Sequence, residues 1–120
     1  MRQGVLFSFS TKNRESSFPT LMRCLEELMS QLKEMCQSCG IKEDLTALRY
    51  ETIAISETWV RNKAGRRYKR IQLKGYKEGR TSTITSWSEG TAPADLYKLV
   101  NLYRACKHLA KACDYLSVLG

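Results

Sequence analysis

The residues with the clearest chemical potential in this 120-residue sequence are nine arginines and lysines between positions 61 and 80. They share that segment with a single acid, Glu78, so its net charge is +8, whereas the remaining hundred residues carry equal numbers of acidic and basic side chains. This local excess predicts a surface that attracts phosphate-rich or acidic partners. The nine residues are Arg61, Lys63, Arg66, Arg67, Lys69, Arg70, Lys74, Lys77 and Arg80.

The cysteines and the single histidine are the other candidates for chemistry. Cys36 and Cys39 have a CxxC spacing, which suits zinc binding or thiol exchange. Cys106 and Cys113 are seven residues apart on a predicted helix, about 10.5 Å along its axis, too far to share one tetrahedral ion. The CxxC pair also falls at the end of its predicted helix, where the dipole disfavours a thiolate. With no nucleophile and acid patterned around His108, we predict no metal, no cofactor and no catalytic residue.

Two amphipathic helices are predicted around the basic segment, over residues 18–40 and 92–118. In both, apolar residues recur at alternating spacings of three and four, which forms one continuous stripe. Pro19 and Pro93 suit the first helical turns, and Gly40 suits a left-handed C-terminal cap. We expect the stripes to pack against each other and a sheet. A homodimer or partner-protein interface through the stripes is the alternative.

Between the helices the apolar period changes to two, which predicts a three-stranded antiparallel meander over residues 50–88. Lys63-Ala64-Gly65 has the composition of a three-residue hairpin loop with Gly65 in the left-handed position. That loop pairs Asn62 with Arg66 and sets Ile55 opposite Leu73. One face of the hairpin is then apolar and buried. It contains Ile53, Ile55, Ile71 and Leu73.

The opposite face of the second strand alternates cations with polar and aromatic residues. A two-residue turn at Glu78-Gly79 would point Ile84 to the core and add Thr83, Thr85 and Trp87 to this face, whereas a three-residue loop would bury Trp87. We favour the shorter turn. Cations neutralise phosphates, hydroxyls and amides bond backbone or base edges, and aromatic rings stack on bases. The predicted nucleic-acid-binding residues are Lys63, Arg66, Arg67, Tyr68, Arg70, Gln72, Lys74, Tyr76, Lys77, Arg80, Thr83, Thr85 and Trp87.

A divalent-metal-dependent nuclease is the remote enzymatic alternative. Ile71-Gln72-Leu73-Lys74 resembles the strand-borne QxK motif of the restriction-endonuclease-like family, and the resemblance implies metal-binding acids near Lys74. Glu57 is the nearest acid on the first strand. The predicted register places it opposite Ile71, on the other face from Gln72 and Lys74. The primary prediction is therefore a non-catalytic domain that binds DNA or RNA as an accessory factor.

The element order predicts one α+β domain over residues 1–120, arranged (β)-α-β-β-β-α with a short first strand at Gly4–Ser10. A three-stranded sheet followed by a helix resembles the arm-binding domains of phage-type integrases. The α-β-β-β-α order is similar to double-stranded-RNA-binding domains and to the Alu-binding subunits of the signal recognition particle. These resemblances imply a DNA or RNA partner.

The apolar patches are too short for a signal peptide or a membrane span, so we expect an intracellular protein with reduced cysteines and no membrane partner. The location would be cytoplasmic, nuclear or in the nucleoid. The alternative function is a protein-interaction or structural module, or a subunit of a larger complex. In that case the basic face would meet an acidic protein.

Overall fold

The computed structural model of the chain describes residues 14–119, and side chains from residue 18 onward; the strand predicted at Gly4–Ser10 lies outside the described residues. One long helix precedes and another follows a three-stranded antiparallel sheet, and the order α-β-β-β-α confirms the predicted α+β fold. Short 3-10 turns precede and follow the sheet, at Leu45–Ala47 and Glu89–Thr91. The regular elements are α1 (Arg14–Ser38), β1 (Thr52–Arg61), β2 (Arg67–Lys77), β3 (Arg80–Ser88) and α2 (Leu96–Leu119).

Helix α1 ends in the cap that its sequence predicts. Gly40 adopts a φ of +73°, the left-handed conformation that costs glycine little. The Ile41 N–H donates to the Cys36 carbonyl at 2.9 Å and the Gly40 N–H donates to the Gln37 carbonyl at 3.2 Å, the paired bonds of a Schellman motif. At its other end, α1 begins before the predicted start, so Pro19 lies inside the helix and removes one backbone hydrogen bond there.

The two helical stripes pack against each other, and the C-terminal helix also packs against one face of the sheet at β1. This arrangement confirms the expected shared core within a single chain. The burial of these apolar side chains is the main stabilising term for the fold. The described core consists of Leu25, Leu32, Cys36, Cys39, Ile41, Leu45, Ile53, Leu73, Leu99, Val100, Tyr103, Cys106 and Cys113.

The register of the first hairpin is the one the turn residues predict. Ile55 pairs with Leu73, and the Asn62 N–H donates to the Arg66 carbonyl at 3.0 Å. Gly65 has a φ of +82°, as the three-residue loop requires. The turn and the apolar pattern thus favour the same register. A shift of the pairing by one residue would move the apolar side chains of one strand to the other face of the sheet.

The turn between β2 and β3 has the predicted two residues. Lys77 pairs with Arg80, and both turn residues have positive φ, +53° for Glu78 and +75° for Gly79. This is the type I′ geometry, whose twist matches that of the strands it connects. The Glu78 N–H also donates to the Glu51 carboxylate at 3.1 Å, which ties the turn to the start of β1.

A β-bulge then changes the register of β3. Leu73 pairs with Thr85 but Lys74 pairs with Thr83, so Ile84 is an extra residue in β3. A bulge reverses the alternation of the remainder of its strand, because two residues of one strand oppose one residue of the other. The simple alternation assumed from the sequence therefore holds only up to Thr83.

The bulge corrects two of the predicted binding residues. Trp87 pairs with Ile71 and packs against the core together with Ile84. The prediction that Thr85 and Trp87 share the basic face is therefore wrong, whereas Thr83 does lie on that face. The physical reason is that the bulge lets both large apolar side chains of β3 bury surface against the core, which an unbroken alternation would not allow.

Helix α2 holds the sheet at the start of β1. The Tyr103 hydroxyl donates to the Tyr50 carbonyl at 2.7 Å and accepts from the Tyr50 N–H at 2.9 Å. The Arg104 guanidinium donates to the Ile53 carbonyl at 3.2 Å. The ring of Tyr50 lies against Gly75 of β2, so closely that a β-carbon at Gly75 would overlap the ring. These contacts fix the base of the hairpin to α2.

Candidate nucleic-acid interface

The sheet face turned away from the core, called the open face here, has a polar and basic surface. No core residue that the structure describes in β1 or β2 belongs to it. It carries hydroxyl groups on both outer strands and no acidic residue at any of its described positions. The open face consists of Thr52, Ala54, Ser56, Thr58, Val60, Tyr68, Arg70, Gln72, Lys74, Tyr76, Thr81, Thr83, Ser86 and Ser88.

The central strand of the open face carries its cations and its aromatic rings. Arg70 and Lys74 flank Gln72, and this group lies between the two tyrosines of β2. The Nε of Arg70 donates to the Ser86 hydroxyl at 2.8 Å. Its two terminal guanidinium nitrogens have no partner within residues 18–119, so they remain available for a ligand. These open-face positions of β2 form a column that brings together five of the predicted binding residues, Tyr68, Arg70, Gln72, Lys74 and Tyr76.

The other predicted cations lie elsewhere. Lys63 and Arg66 are in and beside the hairpin loop, exposed to solvent. Arg67, Lys77 and Arg80 lie on the core-side face of the sheet, where the alternation of the strands places them, and the helices do not cover them. The basic segment is therefore distributed over both faces of the sheet and its tip, whereas a single basic face was predicted.

The far end of the β1–β2 hairpin is a two-stranded ribbon. Ser88 at the end of β3 pairs with Arg70, so β1 and β2 have no third strand beyond that point. We call residues 58–70 the ribbon. None of its residues belongs to the described core cluster or packs against it. Apart from Lys69, which contacts Glu89 of the following 3-10 turn, both faces of the ribbon are therefore open to a ligand.

Trp59 is a candidate that the sequence reasoning missed. It lies on the same side as Ile53, where alternation alone would favour burial, yet it is 59% exposed because no described core side chain packs against it. The Arg67 guanidinium carbon lies 4.9 Å from the centre of the Trp59 ring, and the Lys69 ammonium lies at 5.4 Å. These are cation–π contacts. The sequence did contain a pattern that could have predicted this exposure, since the positions around Trp59 on that face are charged.

Most of the hairpin cations are not neutralised by the protein. Lys69 pairs with Glu57 at 3.2 Å and with Glu89 at 3.6 Å, and the hydrogen bond that its ammonium donates to the Glu57 carboxylate is the main reason that the pKa of Lys69 is raised above its usual value. The other eight cations between positions 61 and 80 form no ion pair with any acid in residues 18–119. Arg61 even lies directly opposite Arg67. By contrast, Arg49, outside the basic segment, pairs with Glu43 at 2.7 Å.

No protein-family model matches this chain, and no curated protein or solved structure matches it either. The chemistry of the hairpin is therefore the basis for assigning a function. In addition, no helix between residues 14 and 119 has an apolar stretch long enough to cross a membrane.

The residues considered for a nuclease site lie on different faces. Gln72 and Lys74 are on the open face, which has no acid at its described positions, whereas Glu57 pairs with Ile71 and lies on the other face, as the register predicted. Within the described chain, no three His, Cys, Asp or Glu side chains converge in a way that would hold a metal ion. The structure thus gives Lys74 no acidic neighbour on its own face.

The CxxC cysteines are core residues. Cys36 and Cys39 are both buried in the core cluster. Burial, more than any nearby charge, raises the pKa of the Cys36 thiol to about 11 and also raises the pKa of Cys39. Both thiols are therefore protonated at neutral pH, in the form that packs like a small apolar side chain.

A groove of about 730 Å³ between α2 and the start of β1 is the other surface feature rich in cations. It is lined in part by Arg104, Lys107, His108 and Lys111. Arg104 donates to the Ile53 carbonyl, and the Lys107 ammonium donates to the Leu48 carbonyl at 2.7 Å. Arg104 and Lys107 therefore stabilise the backbone at Ile53 and Leu48. This structural role explains why these two cations lie in the groove.

Proposed function

We propose that this protein binds nucleic acid through its basic hairpin, as a non-catalytic accessory domain. The observation that carries the proposal is that eight of the nine cations between positions 61 and 80 have no acidic partner among the described residues. Crowding unpaired like charges lowers the stability of a folded domain. A polyanion that neutralises them accounts for their concentration in one segment, while the rest of the chain is electrically balanced.

The composition of the open face supports the same function. Rows of serine and threonine hydroxyls flank the cations of β2, and hydroxyls are common donors to phosphate and sugar oxygens. Tyr68 and Tyr76 provide ring surface for stacking. Gln72, between Arg70 and Lys74, can hydrogen-bond to base edges. An acidic protein surface would use the cations but has no need of the remaining groups.

Salt dependence is the first test. Fluorescence anisotropy with labelled 20-nucleotide DNA and RNA probes should show affinity falling about 10³-fold between 50 and 200 mM KCl, as expected for roughly six phosphate contacts. Polyglutamate at equal charge concentration should displace the probes poorly. Efficient displacement by polyglutamate would instead support the alternative, an acidic protein partner. Cleavage of the same probes in magnesium would support the nuclease.

Charge reversal on the open face tests whether the nucleic acid binds there. Arg70→Glu with Lys74→Glu should lower affinity at least 100-fold and leave the circular dichroism spectrum unchanged. The matched control is Arg23→Glu with Lys42→Glu, which changes the net charge equally at exposed positions outside the hairpin. The control should bind within about threefold of the parent. Equal losses in the two variants would show that total charge matters and that the hairpin is not the site.

A further inference from the structure

The ribbon has cations on both of its faces and at its tip. On the face that continues from the core lie Arg61, Arg67 and Lys69, and on the other face lies Arg70. Lys63 and Arg66 are exposed at the loop. A ligand lying on the open face alone would contact only part of this charge. A ligand that encloses the ribbon from both sides would contact all of it.

The dimensions of the ribbon match one such ligand. From the Thr58–Arg70 pair to the Arg61–Arg67 pair, the ribbon extends about 10 Å beyond the end of β3, at 3.4 Å per residue, before the loop begins. The major groove of B-form DNA is about 12 Å wide and 8.5 Å deep, and it admits a two-stranded ribbon. The DNA minor groove, about 6 Å wide, and the deep, narrow major groove of duplex RNA do not.

Arg61 and Arg67 form a pair of opposed cations near the tip of the ribbon. Like charges placed directly opposite each other on neighbouring strands lower stability. Each guanidinium is nevertheless held in place, Arg61 by donating to the Gly65 carbonyl at 3.3 Å and Arg67 by lying over the Trp59 ring. Two positioned and unneutralised guanidinium groups on one side of the ribbon suit contact with a row of phosphates.

We propose that the ligand is duplex DNA and that the ribbon enters its major groove tip first. This inference rests on the proposed function and specifies the ligand class. Arg61 and Arg67 contact the phosphates of one groove wall, and Arg70 contacts those of the other. Lys63 at the tip faces the base edges, where guanine and adenine present acceptors.

The ligand class is tested with four 20-nucleotide probes of the same sequence: duplex DNA, duplex RNA, single-stranded DNA and single-stranded RNA. Duplex DNA should bind at least tenfold more tightly than the other three, and complex formation should protect guanine N7, which lies in the major groove, from dimethyl sulfate. Equal binding of all four probes, a preference for another probe, or unprotected N7 overturns this inference and leaves the proposed function intact. Failure of all four probes to bind overturns both.

The use of both ribbon faces is tested by Arg61→Glu with Arg67→Glu. This variant should lose at least 30-fold in affinity for duplex DNA, and its thermal unfolding should stay close to that of the parent because the ribbon has no core contacts. The matched control is Arg23→Glu with Lys42→Glu, which changes the net charge equally at exposed positions outside the hairpin. The control should bind within about threefold of the parent. If the Arg61 and Arg67 variant binds like this control, the ribbon does not enter a groove.

Discussion

The two halves of the β1–β2 hairpin share the same strands and the same alternation, yet they differ completely in burial. On one face, Ile53 and Leu73 have no exposed surface, whereas Trp59, further along the same face, is 59% exposed. The difference arises because the helix-built core covers the base of the hairpin and ends before the ribbon. Alternation determines which face a strand residue occupies, and the neighbouring elements determine whether that face is covered.

The comparison also separates stability from binding. At the base, Tyr103 satisfies both backbone groups of Tyr50, and Gly75 accommodates the Tyr50 ring, so substitutions there should lower the free energy of unfolding. In the ribbon, the exposed side chains contact few neighbours, so substitutions there should change ligand affinity and leave the fold intact. The following three predictions test this separation, from the largest expected effect to the smallest.

The largest contrast is expected between Leu73→Ala and Trp59→Ala, two truncations on the same face of the sheet. Leu73→Ala should lower the free energy of unfolding by about 3 kcal/mol, because it leaves a cavity in a packed core. Trp59→Ala should cost less than about 1 kcal/mol, because most of the ring is already in solvent. Urea denaturation of both variants measures the difference. Similar costs would mean that the ribbon is covered in solution.

Tyr103→Phe should cost about 2 kcal/mol at pH 7, because it leaves the Tyr50 N–H and carbonyl without their partner. Burial raises the pKa of Tyr103 to about 12 from an ordinary value of 10, so the unfolded chain ionises first as pH rises. The stability contributed by the Tyr103 hydroxyl is therefore complete below pH 10 and decreases toward pH 12. Urea unfolding at several pH values should show the gap between parent and variant narrowing across that window. A constant gap would contradict the assigned burial of the hydroxyl.

Gly75→Ala should lower the free energy of unfolding by about 1 to 2 kcal/mol. The added methyl group overlaps the Tyr50 ring, and overpacking of this kind forces a side chain or the backbone to move. Gly90→Ala is the control, since a β-carbon there meets no other atom within 4 Å. Thermal unfolding should distinguish the two variants. A control that is destabilised as much as Gly75→Ala would point to a general effect of replacing glycine.

Much of the fold follows from local sequence signals. Gly40 ends α1, Gly65 forms the loop that sets the register of β1 and β2, and Glu78-Gly79 forms the two-residue turn into β3. Each is a short-range effect, in which a few residues decide the backbone conformation and the apolar alternation agrees with it. The column from Tyr68 to Tyr76 on the open face follows from the same reasoning. Its role in nucleic-acid binding stays a prediction.

The sequence by itself thus determined the two helices and three strands of the described residues, their order, the turns between the strands and the register of the first hairpin. It did not determine where the helices begin, which is at Arg14 and Leu96 and not at residues 18 and 92. Tertiary structure decided the bulge at Ile84, the partial burial of Trp87 and the exposure of Trp59. The bulge interrupts local pairing, and its benefit lies in apolar contacts with a core that is assembled from residues far apart in sequence. The exposure of Trp59 likewise depends on where the helical core ends relative to the strands. Both outcomes come from long-range packing, which local alternation does not encode.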